Sequence, residues 1–429
     1  MIDMIEVKDF EIENNVLKRY TGDGGDIVIP DGIISIGDSA FKDCTRLNSI
    51  TIPNGVIHVG ERAFWGCESL TDITIPNSVT QIGDRAFWNC TSLTSITISE
   101  SVTSIGDEIF YSCKNLTSVT IPDNITSIRK RMFWGCESLT SIKIPDNVTS
   151  IGSEAFLSCM SLTDITIPNS VTQIGDRAFW NCTSLTSITI SESVTSIGDE
   201  IFYSCKNLTS VTIPDNITSI RKRMFWGCES LTSIKIPDNV TSIGSEAFLS
   251  CMSLTDITIP NSVTQIGDKA FWNCVSLTSI TIPESVTSIG DKIFYNCKRL
   301  FNIRILISPE KFFIVAKDDK VEKNIEKIGR ILQARKMDVN IKISLNLKFP
   351  LAVTLVELCD NTEAKVYLKK MLTKGMRVLT DSDNLELIKV ILEKTDFITK
   401  KNIDKYIQYA IDNQQQEIQQ TLIHYKSTL

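Results

Sequence analysis

Twelve of the 13 cysteines recur every 23 residues, from Cys44, Cys67 and Cys90 through to Cys297, and only Cys359 lies outside the series. Thiols can carry redox or metal chemistry, but no C-x-x-C pair occurs, so neither zinc nor any other metal is expected. A column of single cysteines at one interval is one structural position repeated, and the expectation is a ladder of buried thiols acting as small apolar side chains. His58 and His424 are the only histidines. That excludes a multi-histidine metal centre, and neither has an evident partner for acid–base or Ser-His-Asp chemistry. No Gly-rich phosphate loop follows a strand, and no pair of carboxylates is singled out. No catalytic residue and no cofactor is therefore expected; catalysis would have to gather around Glu357, Asp360 or His424 near the C-terminal end.

Two other columns can make contacts. The residue after each repeated Phe is aromatic at Trp65, Trp88, Tyr111, Trp134, Trp180, Tyr203, Trp226, Trp272 and Tyr295, with Lys42, Leu157 and Leu249 at the other positions. All six tryptophans fall in this column. Such rings either stack on one another or offer a binding strip to a protein or a sugar polymer. Between the apolar strand positions stands a Ser/Thr-rich series with occasional charges, including Asp72, Thr74, Lys143, Asp164, Thr166, Lys235, Asp256 and Thr258. It is expected to be an exposed strand face, either a solvated surface or a shallow hydrogen-bonding face for a partner. Arg129-Lys-Arg131 and Arg221-Lys-Arg223 replace the usual Gly-Asp or Gly-Ser pattern in two units. They mark a solvated basic ridge or an anion site.

The elements that position these columns follow from the 23-residue period, which is the signature of a solenoid. One unit runs Leu70-Thr-Asp-Ile73-Thr-Ile75-Pro76-Asn-Ser-Val79-Thr-Gln-Ile82-Gly83-Asp84-Arg-Ala86-Phe87-Trp88-Asn-Cys90. Leu-x-x-Ile-x-Ile alternates like a short strand, and Pro can end a strand without continuing it. Val-Thr-x-Ile is a second strand-compatible stretch. Gly83 permits a turn, Asp84 can cap, and Arg-Ala-Phe-Trp fits about one helical turn. A single unit cannot bury its own apolar edge, so about twelve units must stack to form one continuous core. The expected architecture is an α+β solenoid, a right-handed β/α coil, followed by an all-α C-terminal region.

The repeated pattern Leu-Thr-Ser-Ile-Thr-Ile-Pro-x-Ser-Val-Thr-x-Ile-Gly-x-x-Ala-Phe-x-x-Cys resembles the BspA-like (Treponema pallidum type) bacterial leucine-rich repeats, from about Ile27 to Ile305. The resemblance implies a leucine-rich-repeat solenoid. It also implies, for many members, a surface adhesin of a host-associated bacterium. A longer period lies on top: residues 72–163 and 164–255 are identical at all 92 positions, and a third, altered copy begins at Asp256. Such identity exceeds what folding demands and points to adjustable array length. A binding surface survives such duplication more readily than a catalytic centre does.

Residues 1–26 are expected to form an N-terminal β cap, two short strands around Asn14-Asn15, ahead of an array over 27–307. Composition changes near Ser308-Pro309. Residues 308–429 hold 21 basic and 17 acidic residues, whereas the whole chain carries a formal charge of −7. Helical periodicity appears over 321–337, 364–372, 385–392, 403–411 and 417–425, for about five or six helices, which either cap the array or form a partner-binding domain. The stretch Leu385-Glu-Leu-Ile-Lys-Val-Ile-Leu-Glu393 looks like the second-helix region of an ankyrin-type repeat. No apolar run is long enough to cross a membrane, and the acidic balance argues against nucleic acid. The opening MIDMIEVKDFEIENN lacks an apolar signal core, so a cytoplasmic location is expected, or the cell surface if a signal was removed. The expected function is a non-enzymatic protein–protein interaction scaffold; the alternative is an adhesin for host matrix protein or glycan.

Overall fold

A computed structural model describes residues 9–300, 302–308, 311–316 and 344–429, with isolated positions between 327 and 338. The chain winds as a solenoid of about 13 turns of about 23 residues, followed by a region with five helices among the described residues. It divides into two compact units, 1–278 with 292–300, and 279–291 with 301–429.

In the first unit each turn contributes two short parallel strands. Asp72–Thr74 pairs in register with Ser95–Thr97, so Asp72 faces Ser95 and Ile73 faces Ile96. Gln81–Ile82 pairs with Ser104–Ile105 in the same manner. Each column therefore stacks on itself one turn later, and alternate strand residues point inward. Leu70, Ile73, Ile75, Val79, Ile82, Ala86, Phe87 and Cys90 are all buried, and the same columns are buried in the following turns except at Val119 and Ile289, which are half-buried. The N-terminal end carries the expected hairpin. Phe10–Glu13 runs antiparallel to Val16–Tyr20, with Asn14 and Asn15 in left-handed backbone at φ 51° and 61°. Residues 1–8 of the expected cap lie outside the described residues.

The corner after the second strand differs from expectation. No α-helix forms there; the Arg-Ala-Phe-Trp stretch is a run of turns. Trp88 N–H donates to Arg85 O at 3.1 Å and Cys90 N–H to Phe87 O at 3.3 Å. The N–H groups of Arg85, Phe87 and Asn89 instead reach the next turn, donating to Asp107, Ile109 and Tyr111 carbonyls at 2.8, 3.0 and 2.7 Å. Bonding to a stacked neighbour replaces the i→i−4 bonds that a helix needs. Asp84 likewise caps across turns rather than within its own, its Oδ1 accepting Asp107 N–H at 2.8 Å. Gly83 is required by close approach, since a Cβ there would stand 2.6 Å from Glu61 N.

The second unit contains Ser279–Ile282 parallel to Asn302–Ser308, which turns back antiparallel to Lys311–Ala316. That pairing draws residues 279–291 into this unit, so the composition change near Ser308 falls inside it. Five helices follow: α1 (Leu345–Cys359), α2 (Thr362–Asp381), α3 (Leu385–Lys394), α4 (Ile403–Asp412) and α5 (Gln416–Thr428). The last four cover the expected segments. Asn361 and Asn384 cap α2 and α3 by accepting N–H bonds from Ala364 and Leu387. Helix α1 was not anticipated. Nine of its residues, from Leu347 to Val356, are buried, so it shows no amphipathic stripe, and Pro350 lies within it. Most of the expected 321–337 helix lies outside the described residues.

Candidate interaction site

The aromatic column is built on a second, inner one. Phe41, Phe64, Phe87 and their successors are fully buried and stack with centroids 5.2–5.9 Å apart as far as Phe271–Phe294. The next residue points outward, and its ring lies flat against the ring one turn away. Trp65, Trp88, Tyr111 and Trp134 form one continuous stack, at 4.0, 4.9 and 4.2 Å between centroids. Trp180, Tyr203 and Trp226 form a second at 3.7 and 4.2 Å, and Trp272 meets Tyr295 at 4.2 Å. Leu157 and Leu249 separate the three blocks. The rings thus spend their faces on each other and present mainly edges to solvent. The first ring of each block has no ring before it, and there a cation of its own turn covers it. Arg62 lies 5.5 Å from the Trp65 centroid, Arg177 5.3 Å from Trp180 and Lys269 5.5 Å from Trp272.

Beside this stack runs a charge ladder that sequence reading missed. Arg62, Arg85, Glu108, Arg131, Glu154, Arg177, Glu200, Arg223, Glu246, Lys269 and Lys292 occupy one position per turn, and all have left-handed backbone, φ 52–61°. Glu108 bridges two turns, accepting from Arg85 Nε at 2.8 Å and Arg131 Nη1 at 3.3 Å. Glu200 does the same between Arg177 Nε, at 2.7 Å, and Arg223 Nη1, at 3.3 Å. Burial pushes the Glu108 carboxyl pKa up, but the Arg85 hydrogen bond and charge, and then those of Arg131, outweigh it and hold the carboxyl below its ordinary value. Glu246 is lowered in the same way, by Arg223 and Lys269 against burial. A left-handed position favours Gly or Asn. The other left-handed column follows this at Gly66, Asn89 and Gly135, though Ser112 and Ser158 also stand in it. Charged residues at the first column bear a strain of roughly 1–2 kcal/mol each, which ion pairs and inter-turn bonds offset. The available signal was this alternation of Arg and Glu at 23-residue spacing.

The basic tripeptides are tied into the same network. Arg131 and Arg223 are ladder members, and Arg129 Nε pairs with Asp107 Oδ1 at 3.0 Å, as Arg221 does with Asp199. The arginine charges are met within the chain, which favours the ridge over the anion site.

The strand-face residues are where the alternation put them: Asp72, Thr74, Lys143, Asp164, Thr166, Lys235, Asp256 and Thr258 are exposed. The thiol column is buried from Cys67 to Cys297, each Sγ donating to a Phe carbonyl, as Cys67 does to Phe41 at 3.2 Å. Burial raises the thiols from Cys67 to Cys274, Cys113 and Cys205 to about 12. An open groove of about 590 Å3 crosses the second-strand face past Ser35, His58, Gln81 and Ser104. Its carboxylates are engaged elsewhere: Asp38 accepts Glu61 N–H at 2.8 Å, and Glu61 lies 3.8 Å from Arg85. His424 lines a separate shallow groove with Leu392 and Tyr425 in the helical region. Among the described residues no group of three or more His, Cys, Asp or Glu is arranged to hold a metal ion.

A parallel stack of short strands with an in-register core and exposed repeating faces defines a leucine-rich-repeat β-solenoid. The BspA type leucine rich repeat region matches residues 11–140, 126–254 and 218–312, in six copies, and the chain belongs to that family. Several solved bacterial structures are similar to this chain. A leucine-rich repeat protein of Bacteroides ovatus is 33% identical, over 67% of this chain and 88% of that one, with a TM-score of 0.51. A leucine rich cell surface protein of Faecalibacterium prausnitzii is also 33% identical, over 63% and 92%, with a TM-score of 0.45. The T. pallidum leucine rich repeat protein is 27% identical over 47% and 88%, with a TM-score of 0.35. No curated protein matches. No helix among the described residues is long and apolar enough to cross a membrane.

Proposed function

We propose that this chain is a non-enzymatic scaffold that binds a protein partner along the strand face of its solenoid. The observation that carries this reading is the exposed, in-register series Asp72, Thr74, Lys143, Asp164, Thr166, Lys235, Asp256 and Thr258. It repeats hydrogen-bonding and charged groups at the ~4.8 Å strand spacing, with an apolar core holding each in place. Many modest contacts of this kind add along the array, so affinity grows with the number of turns engaged. The aromatic column serves the scaffold chiefly as internal packing. Its faces are covered by neighbouring rings, which weighs against sugar rings stacking there and leaves ring edges as accessory contacts.

The test is capture of partners by the intact protein from source-cell lysate, from extracellular matrix and on a glycan array, in parallel. Two variants accompany it: Lys143→Glu with Lys235→Glu on the strand face, and Trp88→Ser with Trp180→Ser and Trp272→Ser in the column. Specific capture of a lysate protein, abolished by the strand-face charge reversals, is the expected result. Binding confined to matrix or glycans, with the protein detected on intact cells, replaces the scaffold by the adhesin. Loss in the tryptophan variant alone moves the contact to the ring edges.

A further inference from the structure

Two joints in the first unit lack bonds that the others share. In most turns the glycine after the second strand donates its N–H to the preceding turn: Gly106 to Ile82 O at 2.9 Å, Gly152 to Ile128 O at 2.7 Å, Gly198 to Ile174 O at 2.9 Å. A threonine three residues earlier does the same, Thr103 to Thr80 O at 2.9 Å and Thr149 to Thr126 O at 2.8 Å. At two turns the glycine position holds Arg129 and Arg221 instead, and there the corresponding bonds to Ile105 and Ile197, and from Thr126 to Thr103 and Thr218 to Thr195, are absent. The second-strand sheet ends at Ser104–Ile105, restarts at Ser127–Ile128, ends at Ser196–Ile197 and restarts at Ser219–Ile220.

The cause is steric. A Cβ on Gly106 would meet Asp84 N at 2.4 Å, and one on Gly152 would meet Lys130 N at 2.7 Å. At that approach only glycine fits, so an arginine must push its turn away from the one before. The first-strand sheet, by contrast, stays paired across both joints, Ser95–Thr97 with Ser118–Thr120 and Ser187–Thr189 with Ser210–Thr212. It breaks instead at other joints, after Ser118–Thr120, Asp164–Ile165 and Ser210–Thr212, and the second-strand sheet continues at each of these.

The corner side stays bonded as well. Glu108 and Phe110 N–H donate to Lys130 and Met132 carbonyls at 3.0 Å each, and Glu200 and Phe202 repeat this with Lys222 and Met224. The widened core is filled by larger residues. Ile109 and Met132 occupy the column held by Ala63, Ala86 and Ala155, and all are fully buried. The inner rings across the joint, Phe110–Phe133, are 5.6 Å apart, against 5.3 Å for Phe64–Phe87. One ion pair spans each opened side, Arg129–Asp107 and Arg221–Asp199, both at 3.0 Å.

We propose that these two joints are hinges of the solenoid, at which the blocks on either side bend about the bonded first-strand and corner sides and open or close the second-strand side. Arg129 and Arg221 act as wedges, Met132 and Met224 as deformable filling, and the arginine–aspartate pairs as straps across the open side. The exposed face can thereby alter its curvature at fixed positions while each block stays rigid. This holds whatever class of partner the face binds.

Hydrogen exchange on the full-length protein, followed by mass spectrometry, tests it. Residues 123–130 and 215–222 are identical in sequence, so one peptide signal reports both joints. It is expected to exchange at least about tenfold faster than the equivalent stretches 100–107 and 146–153. The double variant Arg129→Gly with Arg221→Gly restores the glycine column and is expected to slow that peptide to the rate of its neighbours. Equal protection of the three stretches in the wild-type protein overturns the hinges, and this comparison needs no variant to fold. Unchanged fast exchange in a folded double variant overturns the wedge role of the arginines.

Discussion

Arg85 donates from Nε to Glu108 Oε2 at 2.8 Å, although the two residues are 23 positions apart in sequence. Both stand in left-handed backbone on successive turns. The contact exists because stacking brings equivalent positions together, and it makes each ladder carboxylate the link between two turns.

Removing such a link has a defined cost. Glu108→Ala leaves Arg85 and Arg131 facing each other without their shared acceptor. Both arginines are about one-third exposed, so the loss is expected to be modest, about 1–2 kcal/mol. Urea unfolding of the full chain measures it, and a midpoint unchanged from wild type contradicts the structural role of the ladder.

Acid should act through the same groups. Glu108 and Glu246 have folded-state pKa values held below the ordinary 4.5, so as pH falls the unfolded chain takes up their protons first. Their stabilisation is present above about pH 4.5 and is lost as pH falls through the lower folded-state values. Thermal melts between pH 7 and 3 should show a smaller acid loss for Glu108→Gln with Glu246→Gln than for wild type. Parallel curves would assign the acid sensitivity to other carboxylates.

Thiol reactivity should divide the cysteines sharply. Cys359 is exposed and Cys44 partly so, while the 11 from Cys67 to Cys297 are buried. With Cys113 and Cys205 pushed to about 12 by burial, the thiolate fraction at pH 8 is negligible. A thiol reagent is expected to modify Cys359 quickly, Cys44 more slowly and the rest only in denaturant. Rapid native-state titration of three or more thiols would show that the ladder is open.

The aromatic blocks predict effects of opposite sign. Tyr111→Leu removes two ring contacts, at 4.9 and 4.2 Å, and should destabilise by roughly 1–3 kcal/mol. Leu157→Trp supplies the missing ring between Trp134 and Trp180 and should join two stacks into one, visible as a stronger near-ultraviolet circular dichroism signal. If that signal is unchanged, the gap is too narrow or too wide for a ring.

Deleting residues 164–255 removes one whole copy of the 92-residue block and should leave a shorter, cooperatively folding array, since each turn contacts chiefly its neighbours. Non-cooperative melting of the deletion would mean that stability depends on contacts beyond the nearest turn.

The sequence by itself determined the solenoid, its period, its inward columns and its exposed strand face. One 23-residue unit repeated many times states which residues must be equivalent, and burial of Leu70, Ile73, Val79, Phe87 and Cys90 follows from alternation and hydrophobicity alone. Helices α2 to α5 were legible because each keeps an amphipathic stripe, and α1 was not because it is buried nearly all round. What only the tertiary structure decided concerns distances between turns. Whether Trp88 shows a face or an edge depends on how near Trp65 and Tyr111 come. That Arg85 and Glu108 form a link, and that Arg129 opens a joint, likewise depend on how closely successive turns approach. Sequence period names the neighbours, but stacking distance is set by the smallest side chain each joint can accept, and that is a property of the packed chain.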